Sequence, residues 1–104
     1  MPLTKLYQGQ IPDVLTTIFT ATQQTNILGV KLHFSSGGTT NNVKIYSVPN
    51  GSTADNSNKF EDITLSNGDS LYISEIDILS TGDFIVVESS AVNEVNIKLL
   101  GELQ

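Results

Sequence analysis

Apolar residues recur at every second position in eight short runs of this chain. The clearest run is residues 29–34, where Val30, Leu32 and Phe34 share one face and Lys31 and His33 share the other. The remaining runs are residues 5–10, 15–21, 43–48, 60–65, 70–75, 84–89 and 94–100. Turn formers separate them: Pro12-Asp13, the Ser-Gly-Thr-Asn stretch 35–41, and Pro49-Asn50-Gly51. Runs spaced roughly 8–14 residues apart predict an all-β sandwich or barrel. The best helical candidate, Pro12 to Phe19, is rich in Thr and β-branched residues and is therefore read as strand. Residues 43–48 are apolar on both faces, Val43/Ile45 and Tyr46/Val48, which predicts a strand covered on both sides or packed in an oligomer. The expected core is Val30, Leu32, Phe34, Val43, Ile45, Ile63, Leu65, Leu71, Ile73, Ile85, Val87, Val95, Ile97 and Leu99.

One motif repeats. Leu65-Ser66-Asn67-Gly68-Asp69 returns as Leu79-Ser80-Thr81-Gly82-Asp83, each followed by an apolar-alternating run. Gly supplies positive φ and Asp accepts local backbone N–H groups, so both copies are read as turns rather than as an acid pair or metal site. Two copies are too few for a solenoid. The polar stretch 50–59 offers little apolar area to bury and is expected to be an exposed, mobile loop. Its oxygen donors Asn50, Asp55, Asn56 and Asn58 include one acid followed by a lysine, which is too little charge for a calcium loop. Asn50-Gly51-Ser52 fits the N-glycosylation pattern but reads as a turn.

Length and charge narrow the classes. With 104 residues there is one domain, burying roughly 65% of the unfolded surface. That suffices for a thin core and leaves little room for a deep cleft. Eleven acids oppose five lysines, with no arginine and a net charge of −6, so a phosphate-gripping nucleic-acid binder is not expected. Cysteine is absent, which removes disulfides and thiolate chemistry. No apolar run approaches 18 residues, so no membrane-spanning helix is expected, and the first residues lack the apolar segment of a secretory signal. Synthesis and residence in a cytosol are the expectation.

No catalytic constellation stands out. His33 is the only histidine; Ser35 and Ser36 lie nearby, but no carboxylate is placed to orient the imidazole. A half-exposed strand histidine is the better reading. Glu61, Asp62, Glu75, Asp77 and Glu88 contain no pair that spacing selects for glycoside hydrolysis, and are read as a solvated acidic face. No cofactor or metal is expected. Tryptophan, a common platform for sugars, is absent.

Several segments resemble small virion proteins of tailed bacteriophages. The resemblance is carried by Leu6-Tyr7-Gln8-Gly9-Gln10-Ile11-Pro12, Thr17-Ile18-Phe19-Thr20-Ala21, Gly29-Val30-Lys31-Leu32-His33-Phe34 and Val43-Lys44-Ile45-Tyr46-Ser47-Val48. It continues through Leu65-Ser66-Asn67-Gly68-Asp69-Ser70-Leu71 and Val95 to Glu102. It implies a single eight-stranded antiparallel sandwich of jelly-roll type, without enzymatic activity. The implied role is capsid decoration (cement) on the outer capsid surface, with a neck- or tail-associated protein or a receptor- or glycan-binding module as alternatives. The partners would be the major capsid protein or other virion proteins, and the location the virion, after synthesis in the bacterial cytoplasm. A homo-oligomer is expected, with a trimer favoured.

Residues 1–10 would be an arm reaching a neighbour or the first strand of the sandwich, and residues 11–104 the sandwich domain. Leu3, Leu6, Tyr7, Tyr46 and Val48 are the candidate partner-binding residues. A groove of exposed tyrosines near Tyr46 and Tyr72 would favour glycan binding instead. An acid pair with a raised pKa in a cleft would favour a hydrolase.

Overall fold

The alternating runs become two antiparallel sheets in the computed structural model, which describes residues 3–35, 38–74 and 77–104. Among the described residues there are nine strands: β1 (Thr4–Gln10), β2 (Thr16–Thr20), β3 (Thr25–Phe34), β4 (Thr40–Val48), β5 (Lys59–Ser66), β6 (Ser70–Ile73), β7 (Asp77–Leu79), β8 (Phe84–Ser89) and β9 (Val95–Leu103). The first sheet runs β1-β9-β3-β6, with β7 also pairing β3; the second runs β2-β8-β4-β5. The pairs are nested in sequence: β4 with β5, β3 with β6, β2 with β8, and β1 with β9. One long antiparallel ribbon, its tip at residues 49–58, is thereby wound across both sheets.

The eight expected runs correspond to β1–β6, β8 and β9. The ninth strand, β7, is only three residues long, too short for alternation to reveal. The strand β3 also starts earlier than its clear alternation does. A register shift between Ile27 and Gly29 places Ile27 and Val30 in the interior three positions apart, which hides the period of two. Glu75, at the end of one expected run, lies outside the described residues, as do Met1, Pro2, Ser36, Gly37 and Ile76.

Most of the expected core is buried, from Val30, Leu32 and Phe34 to Val95, Ile97 and Leu99. Ile63 and Ile73 are half-buried against it, and Leu71 is 37% exposed. Leu71 sits opposite Leu32 on β6, beyond which no further strand in the sheet order covers it. Ile11, Ala21, Ile27 and Leu79 join the interior from strand ends and connections.

A second, smaller cluster forms on the outer side of β4 and β8, from Tyr46, Val48 and Val86, with Ala54 and Phe84 packed against it. This accounts for the strand that is apolar on both faces: residues 49–58 cover its second face through Ala54. That segment is not a bare solvated loop. Asp55 Oδ1 accepts from the Ser57 N–H at 2.9 Å, Asn58 Nδ2 donates to Thr53 O at 2.9 Å, and the Ser47 N–H donates to Asn58 O at 2.9 Å. Gly51 (φ 85°) and a 3.0 Å bond from the Ser52 N–H to Pro49 O make Asn50-Gly51-Ser52 a turn.

Both copies of the repeated motif form the same corner, and at each the chain changes sheet, β5 to β6 and β7 to β8. Gly68 and Gly82 take φ of 91° and 94°. Asp69 Oδ2 accepts from the Ser66 N–H at 2.8 Å, and Asp83 Oδ2 from the Ser80 N–H at 2.9 Å. Each corner then grips an earlier part of the chain, the last residue of β3 in one case and the residue just after β2 in the other. Gly68 N–H donates to Phe34 O and Phe34 N–H to Asp69 O; Gly82 N–H donates to Ala21 O and Ala21 N–H to Asp83 O. The leucines that open the motif, Leu65 and Leu79, are both buried.

Residues 4–10 lie along β9 from Thr4 opposite Gly101 to Gln10 opposite Asn96, as an edge strand of the chain's own sheet.

Candidate functional site: a basic groove across one sheet face

On β3, Val30, Leu32 and Phe34 point inward, so Lys31 and His33 face out. The same alternation on β9 buries Val95, Ile97 and Leu99 and turns Asn96 and Lys98 outward. Antiparallel register then assembles two rows across four strands. One row is Gln8, Lys98, Lys31 and Tyr72; the next is Gln10, Asn96, His33 and Ser70. Between them lies an open groove of about 530 Å³, lined by Gln8, Lys31, His33, Ser70, Tyr72, Asn96 and Lys98 over a floor of Leu32, Leu71 and Ile97. His33 Nδ1 and Ser70 Oγ are 2.7 Å apart. The Tyr72 side chain, 55% exposed, lies over Gly29, where an added Cβ would come within 2.5 Å of Tyr72 Oη.

Charge is distributed differently on the two sheets. On the second sheet Lys44 stands between Asp62 and Glu88 in register, an alternation of sign that stabilises the pairing. Asp62 also accepts Asn42 Nδ2 at 2.8 Å and Lys59 Nζ at 3.0 Å, and these contacts, Asn42 first, lower its carboxyl pKa. On the first sheet Lys31 stands directly opposite Lys98, and among the described residues no carboxylate lines the groove.

The sequence candidates scatter. Leu3 is 61% exposed, Leu6 and Tyr7 are half-buried against the main core, and Tyr46 and Val48 are buried in the second cluster. These five do not form one surface, and the last two offer none. Tyr46 and Tyr72 likewise sit on different sheets, so the groove has Tyr72 without Tyr46. Glu75 lies outside the described residues, and three of the other acids are placed apart: Asp62 is ion-paired, Asp77 accepts the Ser47 hydroxyl, and Glu88 borders a separate polar hollow with Asp13 and Lys44. Asp55 is engaged by Ser57, which lowers its pKa. Among the described residues no three potential metal ligands cluster. Sequence reasoning placed Lys31 and His33 on an outward face, but Lys98, Asn96, Tyr72 and Gln8 become their neighbours only through strand order.

A carboxylate with a structural task closes the end of the sandwich. Glu94 accepts from Asn41 Nδ2 at 2.7 Å and from the Gly38 N–H at 2.8 Å, and these bonds, Asn41 first, lower its pKa. Asn41 is buried and also accepts the Ser90 N–H. A carboxyl whose pKa is lowered on folding stabilises the fold above its unfolded pKa, and that stability is lost as pH falls through the folded value. Urea midpoints should therefore fall as pH drops through and below the ordinary glutamate range, and Glu94→Gln should lower the neutral-pH midpoint and flatten this decline. An unchanged acid slope in the variant would show that Glu94 contributes nothing to it.

No family model matches the chain, and neither does any curated protein or solved structure. The fold itself defines an all-β, two-sheet antiparallel protein.

Proposed function

We propose that this protein is a non-enzymatic structural component of a bacteriophage virion, a jelly-roll sandwich that decorates the outer capsid surface. The observation that carries this reading is the strand order. The sheets β1-β9-β3-β6 and β2-β8-β4-β5, with nested pairing, support reading the fold as an eight-stranded jelly roll with the short β7 as an addition. Such a fold presents faces, edges and loop tips to partners. A virion subunit needs a rigid scaffold and repeated contacts, which a tightly cornered sandwich supplies. Leu3, Val14 and Leu15, on or beside β1 and β2, are exposed and apolar, which suits contact with a second copy or with the major capsid protein. A trimer is the favoured assembly.

Quantitative mass spectrometry of intact purified particles tests the proposal. A copy number that follows the capsid lattice is expected. A number set by the single tail vertex would move the protein to the neck or tail, and absence from particles would overturn the virion reading. The exposed Tyr72 ring in the groove favours a second reading, recognition of a receptor glycan.

A further inference from the structure

We infer that the groove on the β1-β9-β3-β6 face binds a short acidic oligosaccharide, with Lys31 and Lys98 receiving its carboxylates. The inference rests on the second reading above, that this groove receives a glycan, and adds the charge that the glycan carries.

The first support is a pairing that folding alone disfavours. Lys31 and Lys98 occupy directly opposed positions on adjacent strands, and like charges so placed repel. The chain has acids in excess, eleven against five lysines, and it uses them elsewhere: Lys44 is flanked by Asp62 and Glu88. Among the described residues that line the groove there is no carboxylate. An anionic ligand placed between the two ammonium groups removes the repulsion, so the site is complementary to negative charge.

The second support concerns the kind of anion. The groove lies on the face of a sheet whose central strands spend their backbone groups on the ladders between β1, β9, β3 and β6. A peptide could not add as a strand there, so recognition falls to side chains and to a ligand that brings its own polar groups. Gln8 and Asn96 offer amides for hydroxyls, and the exposed Tyr72 ring offers a flat apolar wall against which the C–H face of a sugar ring can lie. The volume, about 530 Å³, is that of a small-ligand site.

The test is a ¹⁵N–¹H NMR titration of the full chain with a galacturonic acid trisaccharide, its methyl ester and a penta-aspartate peptide. Saturable shifts are expected at the amides of Lys31, Tyr72, Asn96 and Lys98 with the free acid. Binding should weaken about tenfold with the ester, and by a similar factor in Lys31→Gln. The same substitution should raise Tm by about 2 °C by removing the repulsion. Lys98→Gln should reproduce both effects and replaces Lys31→Gln if that variant does not fold. Equal binding of acid and ester would leave glycan recognition standing and overturn the acidic ligand. Equal or tighter binding of penta-aspartate at the same amides would assign the groove to an acidic protein segment and overturn the inference. The absence of saturable shifts with the free acid, or a lower Tm in the lysine variants, would overturn it as well.

Discussion

Replacing Phe34 by alanine is expected to cost about 3–5 kcal/mol, a large fraction of the roughly 5–15 kcal/mol that holds an ordinary domain folded. Phe34 is fully buried at the inner end of β3. Its backbone is fixed on both sides, by Gly68 N–H to its carbonyl and by its own N–H to Asp69 O. The next residue is held too, with Ser35 N–H donating to Glu94 O. The chain around the vacated ring therefore cannot collapse inward, and the cavity remains. Thermal unfolding should shift down by about 20 °C, with little change in the urea m-value. A loss below about 1 kcal/mol would mean that the corner is far more pliable than its hydrogen bonds indicate.

Removing residues 1–10 should abolish cooperative folding. The deletion strips the partner from one side of β9, from Asn96 to Gly101, and exposes its backbone groups. It also removes Leu6 and Tyr7 from the flank of the main core. A chain of this size has a thin core and little surplus to absorb such a loss. The expected readout is collapse of amide dispersion in the NMR spectrum and loss of a sharp thermal transition. A truncated protein that stays folded and loses only self-association or particle binding would restore the role of an arm reaching a neighbour.

Much of the fold was legible because its signals are local. Alternation placed eight strands, and the Leu-Ser-x-Gly-Asp motif announced two turns through the conformational needs of Gly68 and Gly82. The misses have particular causes. The bulge at Leu28 broke the period at the start of β3, and β7 has only three residues. Tyr46 and Val48 suggested a partner surface because alternation reports that a face is covered without saying by what; Ala54, from a stretch read as polar and exposed, is part of the cover. Leu3, Leu6 and Tyr7 were proposed on a different ground, as part of an arm; β1 instead pairs with β9, and Leu6 and Tyr7 pack against the main core, away from Tyr46 and Val48.

The sequence by itself determined eight of the nine described strands, the inward and outward faces of their regular stretches, and the turns at the repeated Gly-Asp motif. These follow from the two-residue period of a strand and from the steric freedom of glycine, both settled within a few residues. Only the tertiary structure decided which strands lie side by side. Lys31 and Lys98 are far apart along the chain, and each is an unremarked outward lysine until β9 inserts between β1 and β3 and the register sets them opposite one another. Neighbours across a sheet are chosen by the burial of whole faces and by long-range hydrogen-bond register, and no local pattern encodes that choice.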